Sequence, residues 1–370
     1  MAYHIFFTGG GSGGHVIPAI TLIKELQGLI AQRSDQAQWH LAYIGGKAIE
    51  AQLIPRSGIP FYQIQTGKLR RYFSWQNFTD MMRILVGIFQ AWRLLWKYRH
   101  GHTLVCGMGG FVAVPVVVAA RLCRIKIIIH EQTCQAGLAN RLAARFAHQV
   151  WLSFAQSKKF FPPAKTVLMG YPVRPSCFLP LAPTLVVGPK DLAGETRPIL
   201  LVTGGGNGSA LLNNWVVENL TLLSSQFFIV HQVGAPHWPL FKDKIDANYL
   251  PIDLLGPEII ELFKKATVVI SRSGAGTVCE LMALKKRSIF VPLKIAQNNE
   301  QLKNAQEAQK LLGSLVIEED EFKTLSAAQV LARWQETRSA APTGAPEVLT
   351  VMAQHPARVM AQNLVENCQK

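Results

Sequence analysis

Two short glycine-rich segments follow apolar runs in this chain, and their residue types are those that bind phosphate. Residues 8–13 read Thr-Gly-Gly-Gly-Ser-Gly, and residues 203–208 read Thr-Gly-Gly-Gly-Asn-Gly. A glycine turn that enters a helix directs backbone N–H groups and the positive end of the helix dipole toward one point, where anions bind. Both segments therefore predict contact with phosphate groups.

His15 follows Gly14, the residue directly after the first segment, and its imidazole can accept or donate a proton. A histidine at a helix start either makes a structural hydrogen bond or acts as a general base, because its ordinary pKa lies near neutral pH. The spacing leaves both interpretations open.

The first segment also satisfies the GxGxxG pattern of dinucleotide-binding dehydrogenases, with Gly9, Gly11 and Gly14. That fingerprint requires an acidic residue at the end of the second strand, where it binds the ribose. Here residues 44–47 end the second apolar run with Ile-Gly-Gly-Lys, which contains no carboxylate. The sequence therefore disfavours a dehydrogenase.

A third segment of small residues follows a later apolar run, since residues 272–277 read Arg-Ser-Gly-Ala-Gly-Thr. Glu280 lies one helical turn further on. Its carboxylate either complements the positive helix end or binds ribose hydroxyls. The sequence contains no HExxH, DxD or Ser–His–Asp elbow pattern, so we expect neither a metal nor a covalent nucleophile.

The elements that must position these residues alternate along the chain in two series. Runs that are apolar throughout are typical of parallel strands with helices on both faces. Each glycine segment follows the first run of its series, so we predict an α/β fold with two doubly wound domains. The proline-rich stretch Pro172–Pro198 is interpreted as an interdomain connection, and Val348–Glu366 as a last helix. The expected strands are His4–Thr8, His40–Ile44, Thr103–Cys106, Lys126–Ile129, Gln149–Leu152, Thr166–Met169, Ile199–Thr203, Phe227–Gln232, Thr267–Ile270, Ser288–Val291 and Ser314–Ile317.

Composition and charge narrow the class of protein. Apolar residues make up 49% of the chain and charged residues 16%, which excludes a disordered chain. The net charge is +15, and residues 1–180 carry all of that excess. Such a charge predicts an anionic partner, namely phosphate groups, nucleic acid or lipid head groups. No nucleic-acid-binding motif is recognisable, so we expect no nucleic acid partner.

The expected compartment is the cytoplasm. The chain enters a strand at Tyr3 without the basic start and apolar stretch of a signal peptide. Its six cysteines have no metal-ligand spacing, and we expect buried, reduced thiols. The uncharged run Leu104–Ala120 approaches transmembrane length, but its glycines and Pro115 favour a strand, a turn and a helix.

One helical stretch carries an aromatic stripe among basic residues. A second apolar row contains Met81, Ile84, Ile88 and Leu95, so we expect one row to pack inward and the other to contact a membrane surface. The stripe is Trp75, Phe78, Met82, Leu85, Phe89, Trp92 and Trp96, and the surrounding cations are Lys68, Arg70, Arg71, Arg83, Arg93, Lys97 and Arg99.

Taken in order, these motifs resemble the MurG family, the peptidoglycan N-acetylglucosaminyltransferases that form lipid II. The resemblance covers nearly the whole chain, and the shared order and spacing of the motifs carry it. The matching positions are Gly10–His15 with Pro18, Gly107–Gly110, His130–Gln132 with Gly137, Leu138, Asn140 and Arg141, Pro172–Arg174, Gly204–Gly208 with Leu212 and Asn213, Arg272–Ala275 with Thr277 and Glu280, and Gln301 with Asn304 and Ala305.

The resemblance implies a GT-B fold, with two Rossmann-like domains and a cleft between them. It implies inverting transfer of GlcNAc from UDP-GlcNAc to the 4-hydroxyl of MurNAc in lipid I, with His15 as the base. The implied donor-binding residues are Ser12, Gly13, Gly14, Thr133, Arg174, Gly206, Gly256, Ala275, Gly276, Thr277, Val278, Cys279, Glu280 and Gln301. The implied acceptor-diphosphate residues are Gly10, Gly11, Gly109 and Gly110.

Within the implied donor set, Glu280 would bind the ribose and the Gly256 backbone the uracil. The backbone of residues 275–277 and Gly206 would bind the diphosphate. The chain departs from the family pattern near this site, and the departures bear on donor affinity. They are Thr133 for Asn, Tyr171 for Asn, Gly206 for Ser, Leu255 for an aromatic residue, and Glu300 for His or Gln.

The expected organisation is an N-terminal acceptor- and membrane-binding domain over residues 1–175 with a returning helix at 348–370, and a UDP-sugar-binding domain over residues 176–347. The expected partners are UDP-GlcNAc, an undecaprenyl-diphosphate-linked acceptor and other cell-wall synthesis proteins, with no cofactor or metal. We expect a peripheral protein on the inner face of the cell membrane. The alternatives are a related transferase for another UDP-sugar or a diacylglycerol-type acceptor, and a non-catalytic homologue.

Overall fold

The chain folds into two compact units. The structure, a computed structural model, describes residues 1–33, 37–67, 75–337 and 347–370. Unit 1 comprises Met1–Val173 and Gln354–Lys370, and unit 2 comprises Arg174–Ala353. We predicted a division after residue 175 and a return at residue 348. The structure divides after residue 173 and returns at residue 354.

Each unit is built on a parallel sheet. The strands are β1 Ala2–Thr8, β2 Gln38–Gly45, β3 Phe61–Gln63, β4 His102–Gly107, β5 Lys126–Glu131, β6 Gln149–Leu152, β7 Thr166–Leu168, β8 Val186–Val187, β9 Lys190–Asp191, β10 Ile199–Thr203, β11 Phe228–Gln232, β12 Tyr249–Ile252, β13 Val268–Ser271, β14 Ile289–Phe290 and β15 Leu315–Val316. Unit 1 has the order β3-β2-β1-β4-β5-β6-β7, and unit 2 has the order β12-β11-β10-β13-β14-β15. Strands β8 and β9 form a separate antiparallel hairpin.

Helices connect the strands of both sheets. They are α1 Gly13–Ala31, α2 Ile49–Leu53, α3 Trp75–Trp96, α4 Ala113–Leu122, α5 Leu138–Ala143, α6 Ala210–Glu218, α7 Leu220–Gln226, α8 Ile259–Lys265, α9 Ala275–Ala283, α10 Glu300–Leu312, α11 Glu319–Phe322, α12 Ala327–Glu336, α13 Glu347–Ala353 and α14 Pro356–Gln369. The central strands β1 and β10 are almost wholly buried, as expected for apolar strands covered on both faces. The predicted doubly wound α/β architecture is confirmed.

The strand orders determine where each unit can bind a ligand. In both sheets the order reverses beside the first strand of the series, between β1 and β4 in unit 1 and between β10 and β13 in unit 2. Ligands of open parallel sheets bind outside the carboxyl ends of the strands at such a point. All three glycine-rich segments lie there, because they follow β1, β10 and β13.

Each run that we interpreted as a strand contains one, but the sequence reasoning missed β3, β12 and the β8–β9 hairpin. Strands β3 and β12 lie at sheet edges. Strand β12 also contains Pro251, and a proline argues against a strand unless the strand lies at an edge. The interpretation of Pro172–Pro198 as a connection was wrong for most of its length. Leu185, Val187 and Leu192 are buried in unit 2, so this segment is part of that unit.

The single C-terminal helix that we predicted is two helices. Helix α13 belongs to unit 2, and α14 belongs to unit 1. The break falls at His355, which has a φ of 57° and precedes Pro356. A residue before proline is disfavoured in helical conformation, so the chain changes direction there. Helix α14 then packs against α1 through Met360 and Leu364.

The six cysteines are buried and free, as predicted. Among the described residues, no helix is long and apolar enough to cross a membrane.

Candidate active site

The first glycine turn, residues 9–14, leaves β1 with its first amides directed into unit 1. The Gly10 N–H donates to the Gly109 carbonyl at 3.3 Å, and the Gly11 N–H donates to Glu50 Oε2 at 3.0 Å. Helix α1 then begins at Gly13, and its N-cap Ser12 makes no side-chain capping hydrogen bond. The first amides of a helix have no partner within it. The uncapped end of α1 is therefore the part of this turn that can bind an anion.

A second pair of glycines brings the end of β4 against this turn. Gly110 has a φ of 79°, and a Cβ atom there would lie 2.2 Å from the Gly10 carbonyl oxygen. A Cβ atom on Gly109 would lie 2.9 Å from His15 Nδ1. Both positions therefore require glycine, because a side chain would separate the two turns.

His15 is half-buried at the start of α1. Its Nδ1 atom is buried and has no hydrogen-bond partner among the described residues. Burial is the largest effect on His15 and lowers its pKa below 6.5. Gln132, the Met108 backbone and the negative charge of Glu50 each raise this pKa by a smaller amount. The imidazole is therefore uncharged at neutral pH, as a proton acceptor must be.

The loop after β5 is organised by a buried carboxylate. Glu131 accepts hydrogen bonds from the amides of Thr133 and Gly137 and from the side chain of Asn140, at 3.0–3.1 Å. Burial raises the pKa of Glu131, and these hydrogen bonds oppose that shift. The Thr133 hydroxyl lies 3.0 Å from Glu131 Oε1 and 2.6 Å from the Gln135 carbonyl, so it is used within the loop. Its predicted donor contact stays a prediction.

The second glycine turn, residues 204–208, is held by neutral groups. The Gly205 N–H donates to Thr203 Oγ1 at 3.0 Å, and Gln232 Nε2 donates to the Gly205 carbonyl at 2.8 Å. A Cβ atom on Gly208 would lie 1.9 Å from the Val233 carbonyl oxygen. Gly206 is exposed, and a Cβ atom there would meet only Leu254 Cδ1 at 3.8 Å. In this turn Gly206 is the exposed tip, whereas Gly205 and Gly208 are held in place by contacts with β10, β11 and Val233.

Beside it, α9 begins at Ala275 with Gly274 as its N-cap, which has no side chain to cap the helix. Glu280 lies in the second turn and is buried, with 5% of its surface exposed. Arg174 Nε and Nη2 donate to the two Glu280 oxygens at 2.6 and 2.7 Å, and Arg174 Nη1 donates to the Gly256 carbonyl at 3.3 Å. The structure thus brings together three residues, Arg174, Gly256 and Glu280, that the family resemblance implied for nucleotide binding.

The remaining predicted donor residues differ in what they expose. Ala275, Gly276 and Thr277 are half-buried at the helix end. Val278 and Cys279 are each 0% exposed, backbone included, so their predicted contact with the donor stays a prediction. Gln301 Oε1 accepts from the Leu293 N–H at 3.1 Å, which fixes its side chain at the start of α10.

The described residues contain no group of three His, Cys, Asp or Glu side chains that could hold a metal ion.

Sequence reasoning missed Glu50 and Tyr43. Glu50 is fully buried in α2 and accepts from two glycine amides, and the Tyr43 hydroxyl donates to the Gly9 carbonyl at 3.1 Å. One signal was present, because Glu50 is the single acidic residue between Asp35 and Asp80. The dehydrogenase pattern places a carboxylate at the end of β2. In this chain the carboxylate, Glu50, lies a few residues later, in α2.

Helix α3 separates its two apolar rows. Ile84, Ala91 and Leu95 are buried, whereas Trp92 is half-buried and Trp96 is exposed. The inward row therefore includes Ile84 and Leu95 as predicted, but Met81 is exposed. Arg93 and Lys97 are exposed. The exposed large apolar side chains are Phe78, Met81, Met82, Leu85, Val86, Phe89 and Trp96. The Trp75 side chain and residues Lys68, Arg70 and Arg71 lie outside the described residues.

The chain matches the sequence profile of the glycosyltransferase family 28 N-terminal domain over residues 5–152, and that of the family 28 C-terminal domain over residues 199–363. It is 37% identical over 345 residues to the UDP-N-acetylglucosamine--N-acetylmuramyl-(pentapeptide) pyrophosphoryl-undecaprenol N-acetylglucosamine transferase of Clostridium botulinum (strain Loch Maree / Type A3). That alignment covers 90% of this chain and 92% of the relative. The transferase of the same name from Clostridium tetani (strain Massachusetts / E88) is 38% identical over 326 residues, with 87% of each chain covered.

Solved structures give the same grouping. The crystal structure of Acinetobacter baumannii MurG has a TM-score of 0.65 and 26% identity, and the comparison covers 99% of both chains. The calicheamicin glycosyltransferase CalG4 has a TM-score of 0.63, with 100% of this chain and 97% of that chain covered. Its 12% identity shows a shared fold alone.

Proposed function

This chain belongs to the MurG family of N-acetylglucosaminyltransferases, and from that premise we propose which of its residues perform each part of the reaction. The chain transfers GlcNAc from UDP-GlcNAc to lipid I and thereby forms lipid II. The alternative sugar donor, the diacylglycerol-type acceptor and the non-catalytic homologue are not favoured.

We assign the donor nucleotide to unit 2. Glu280 binds the ribose hydroxyls. The Gly256 N–H donates to Glu258 Oε1 at 2.8 Å and the Gly256 carbonyl accepts from Arg174, so the expected contact of this backbone with the uracil stays a prediction. The diphosphate binds the exposed Gly206 tip and the uncapped end of α9, where helix N–H groups favour an anion. The observation that carries this assignment is the buried Glu280 carboxylate near an uncapped helix end, held at both oxygens by Arg174. Each carboxylate oxygen has a further lone pair beside its hydrogen bond from Arg174, so the carboxylate can also accept hydrogen bonds from ribose hydroxyls.

We assign the proton transfer to unit 1. The MurNAc 4-hydroxyl attacks the anomeric carbon of GlcNAc, the bond to UDP breaks, and His15 accepts the hydroxyl proton. The family resemblance implied that Ser12, Gly13 and Gly14 bind the donor. Because the Gly10 and Gly11 amides are used within the protein, we propose instead that the Gly13 and Gly14 amides at the uncapped end of α1 bind the acceptor diphosphate. Gly10, Gly11, Gly109 and Gly110 contribute by carrying no side chains near this site, because the Gly10 and Gly11 amides are used within the protein.

A transfer assay tests the whole assignment. Purified protein with UDP-GlcNAc and a short-chain lipid I analogue should release UDP and form the disaccharide. UDP-glucose or UDP-galactose with diacylglycerol should give neither product. Release of UDP only with the second pair would support the related transferase, and no release with either pair would support a non-catalytic homologue.

We propose that the reaction needs no metal ion. The uncapped end of α9 supplies positive potential at the proposed diphosphate site of unit 2, and such a helix end stabilises a departing diphosphate without a metal. Turnover should be unchanged after dialysis against EDTA. Loss of turnover that added Mg²⁺ restores would contradict this proposal.

We propose that α3 places the protein on the cytoplasmic face of the membrane. Its exposed apolar side chains form one continuous surface, and basic residues near an anionic bilayer add about 1 kcal/mol each. Unit 1 also carries a cavity of about 610 Å³ whose lining includes four cations, Arg121, Arg124, Arg145 and Lys165. Other cell-wall synthesis proteins stay a predicted class of partner.

Vesicle binding tests the membrane surface. Phe78→Ser with Phe89→Ser should weaken binding to vesicles of phosphatidylglycerol and phosphatidylethanolamine without lowering the melting temperature. Leu240→Ser is the matched control, because Leu240 in unit 2 is 70% exposed, as is Phe78. Equal loss of binding in the control, or a large drop in melting temperature in the double variant, would count against this surface.

A further inference from the structure

Glu50 lies directly beneath the first glycine turn and is fully buried. Its Oε2 atom accepts from the Gly11 N–H at 3.0 Å, and its Oε1 atom accepts from the Gly46 N–H at 3.1 Å. A buried carboxylate is costly unless donors compensate it. Here both compensating donors are backbone amides of glycines, one in the turn after β1 and one in the loop after β2.

The space around this carboxylate is shaped for it. A Cβ atom on Gly10 would lie 2.5 Å from the Glu50 carboxyl carbon, and one on Gly46 would lie 2.9 Å from Oε1. Gly10 has a φ of 148°, which disfavours other residues independently of space. Because Gly10 and Gly46 have no side chains, the Glu50 carboxylate fits between them. A larger residue at either position would occupy the space of that carboxylate.

The turn is held from two sides. Glu50 binds the amide of Gly11, and the Tyr43 hydroxyl donates to the carbonyl of Gly9 at 3.1 Å. The Gly10 carbonyl between them packs against Gly110, and His15 follows one helical turn later. The direction in which α1 leaves the turn, and with it the position of the His15 ring, is therefore determined by these two contacts.

We propose that Glu50 is a positioning residue for the transfer reaction, whose carboxylate fixes the glycine turn that carries His15. This inference rests on the proposed role of His15 as the base. Glu50 touches neither substrate in this assignment. It acts through the turn and through its charge.

The charge of Glu50 affects the pKa of His15, an effect that a purely structural residue would not have. The negative charge of Glu50 raises the pKa of His15 against the effect of burial. The other titratable groups around this pair are His130, Tyr43 and Cys106, and burial keeps them uncharged at neutral pH by lowering the pKa of His130 and raising those of Tyr43 and Cys106. Removing the Glu50 charge should therefore lower the pKa of His15, so that the base stays deprotonated at more acidic pH.

The decisive variant is Glu50→Gln, measured with UDP-GlcNAc and a lipid I analogue. We expect kcat to fall roughly 10- to 100-fold, because small displacements of a catalytic group cost that much. The KM for UDP-GlcNAc and the calorimetric affinity for UDP should stay unchanged. The acidic limb of the kcat/KM profile should move to lower pH. Glu25→Gln is the matched control, because Glu25 lies on α1 in the same unit and away from the turn.

Two further variants separate position from charge and keep the test valid if Glu50→Gln fails to fold. Gly46→Ala brings a Cβ atom 2.9 Å from Glu50 Oε1 and Thr66 Oγ1, so it displaces the carboxylate but keeps its charge. Tyr43→Phe removes only the bond to Gly9. Both should lower kcat and leave the acidic limb in place.

Three outcomes would overturn the proposal. They are wild-type kcat in Glu50→Gln, loss of UDP affinity in parallel with kcat, and an acidic limb that moves equally in Gly46→Ala. Failure of the base assignment is distinguishable, because His15→Ala would then keep wild-type turnover while Glu50→Gln still lowers kcat.

Discussion

The two glycine turns have nearly the same sequence and the same place in their sheets, but they differ in what lies behind them. The Gly11 amide of the first turn donates to the Glu50 carboxylate. The corresponding turn of unit 2 gives the Gly205 amide to the neutral Thr203 hydroxyl. A carboxylate beneath a turn repels a second anion, and this repulsion is strong in a low-dielectric interior.

The comparison teaches that a glycine pattern specifies a backbone shape rather than a ligand. In unit 2 the groups behind the turn are neutral and do not oppose its positive potential, which suits the diphosphate that we propose for it. In unit 1 the carboxylate fixes the turn from behind and leaves anion binding to the end of α1. The first turn is therefore suited to presenting His15, and the second to holding the leaving group.

The largest expected effect separates the two turns by function. His15→Ala should lower kcat about 10²- to 10⁴-fold, the usual contribution of a general base. UDP affinity, measured by calorimetry, should be unchanged because we assign His15 to the acceptor and UDP to unit 2. In the wild type, kcat/KM should rise with pH through a pKa below 6.5, because we propose the deprotonated imidazole of His15 as the base and burial lowers its pKa. Parallel loss of kcat and UDP affinity would move His15 to a binding role.

A smaller effect is expected from the carboxylate of unit 2. Glu280→Gln should weaken UDP binding roughly 10- to 100-fold, the cost of losing hydrogen bonds to a charged group. The melting temperature of the variant should be recorded in parallel, because Arg174 loses its ion pair. Glu321→Gln is the control, since Glu321 pairs with Arg333 on the surface of the same unit. Unchanged UDP affinity would remove Glu280 from the nucleotide site.

The smallest effect tests the tip of the second turn. Gly206→Ser should strengthen UDP binding about 2- to 5-fold, because the new hydroxyl gains one hydrogen bond and its Cβ atom has room. Gly208→Ala should weaken binding instead, since its Cβ atom would lie 1.9 Å from the Val233 carbonyl oxygen. Calorimetry with UDP measures both. If both variants changed UDP affinity in the same direction, Gly206 would not be the exposed and Gly208 the closely packed part of the turn.

Much of the fold was predictable from local signals. The runs that became β1 and β10 are apolar throughout, and the glycines after each run mark the strand-to-helix turns. The position of Glu280 followed from helical spacing, because it lies one turn after the small residues that begin α9.

The parts that could not be predicted depend on contacts distant along the chain. Glu50 reaches the Gly11 amide only because β2 pairs in parallel with β1, which brings the start of α2 under the first turn. The ion pair of Arg174 with Glu280 likewise joins residues 106 positions apart. Periodicity predicted two apolar rows on α3, but the exposure of Met81 is decided by the elements packed against that helix.

The buried cysteines make it possible to follow the opening of each unit separately. Burial raises the pKa of Cys177 in unit 2 to about 12 and that of Cys368 in unit 1 to about 11, so neither is a thiolate in the folded state. Only the thiolate reacts rapidly with alkylating reagents. The rate at which a maleimide labels each cysteine therefore measures how often its surroundings unfold, and peptide mapping of the label would rank the local stability of the two halves of the enzyme.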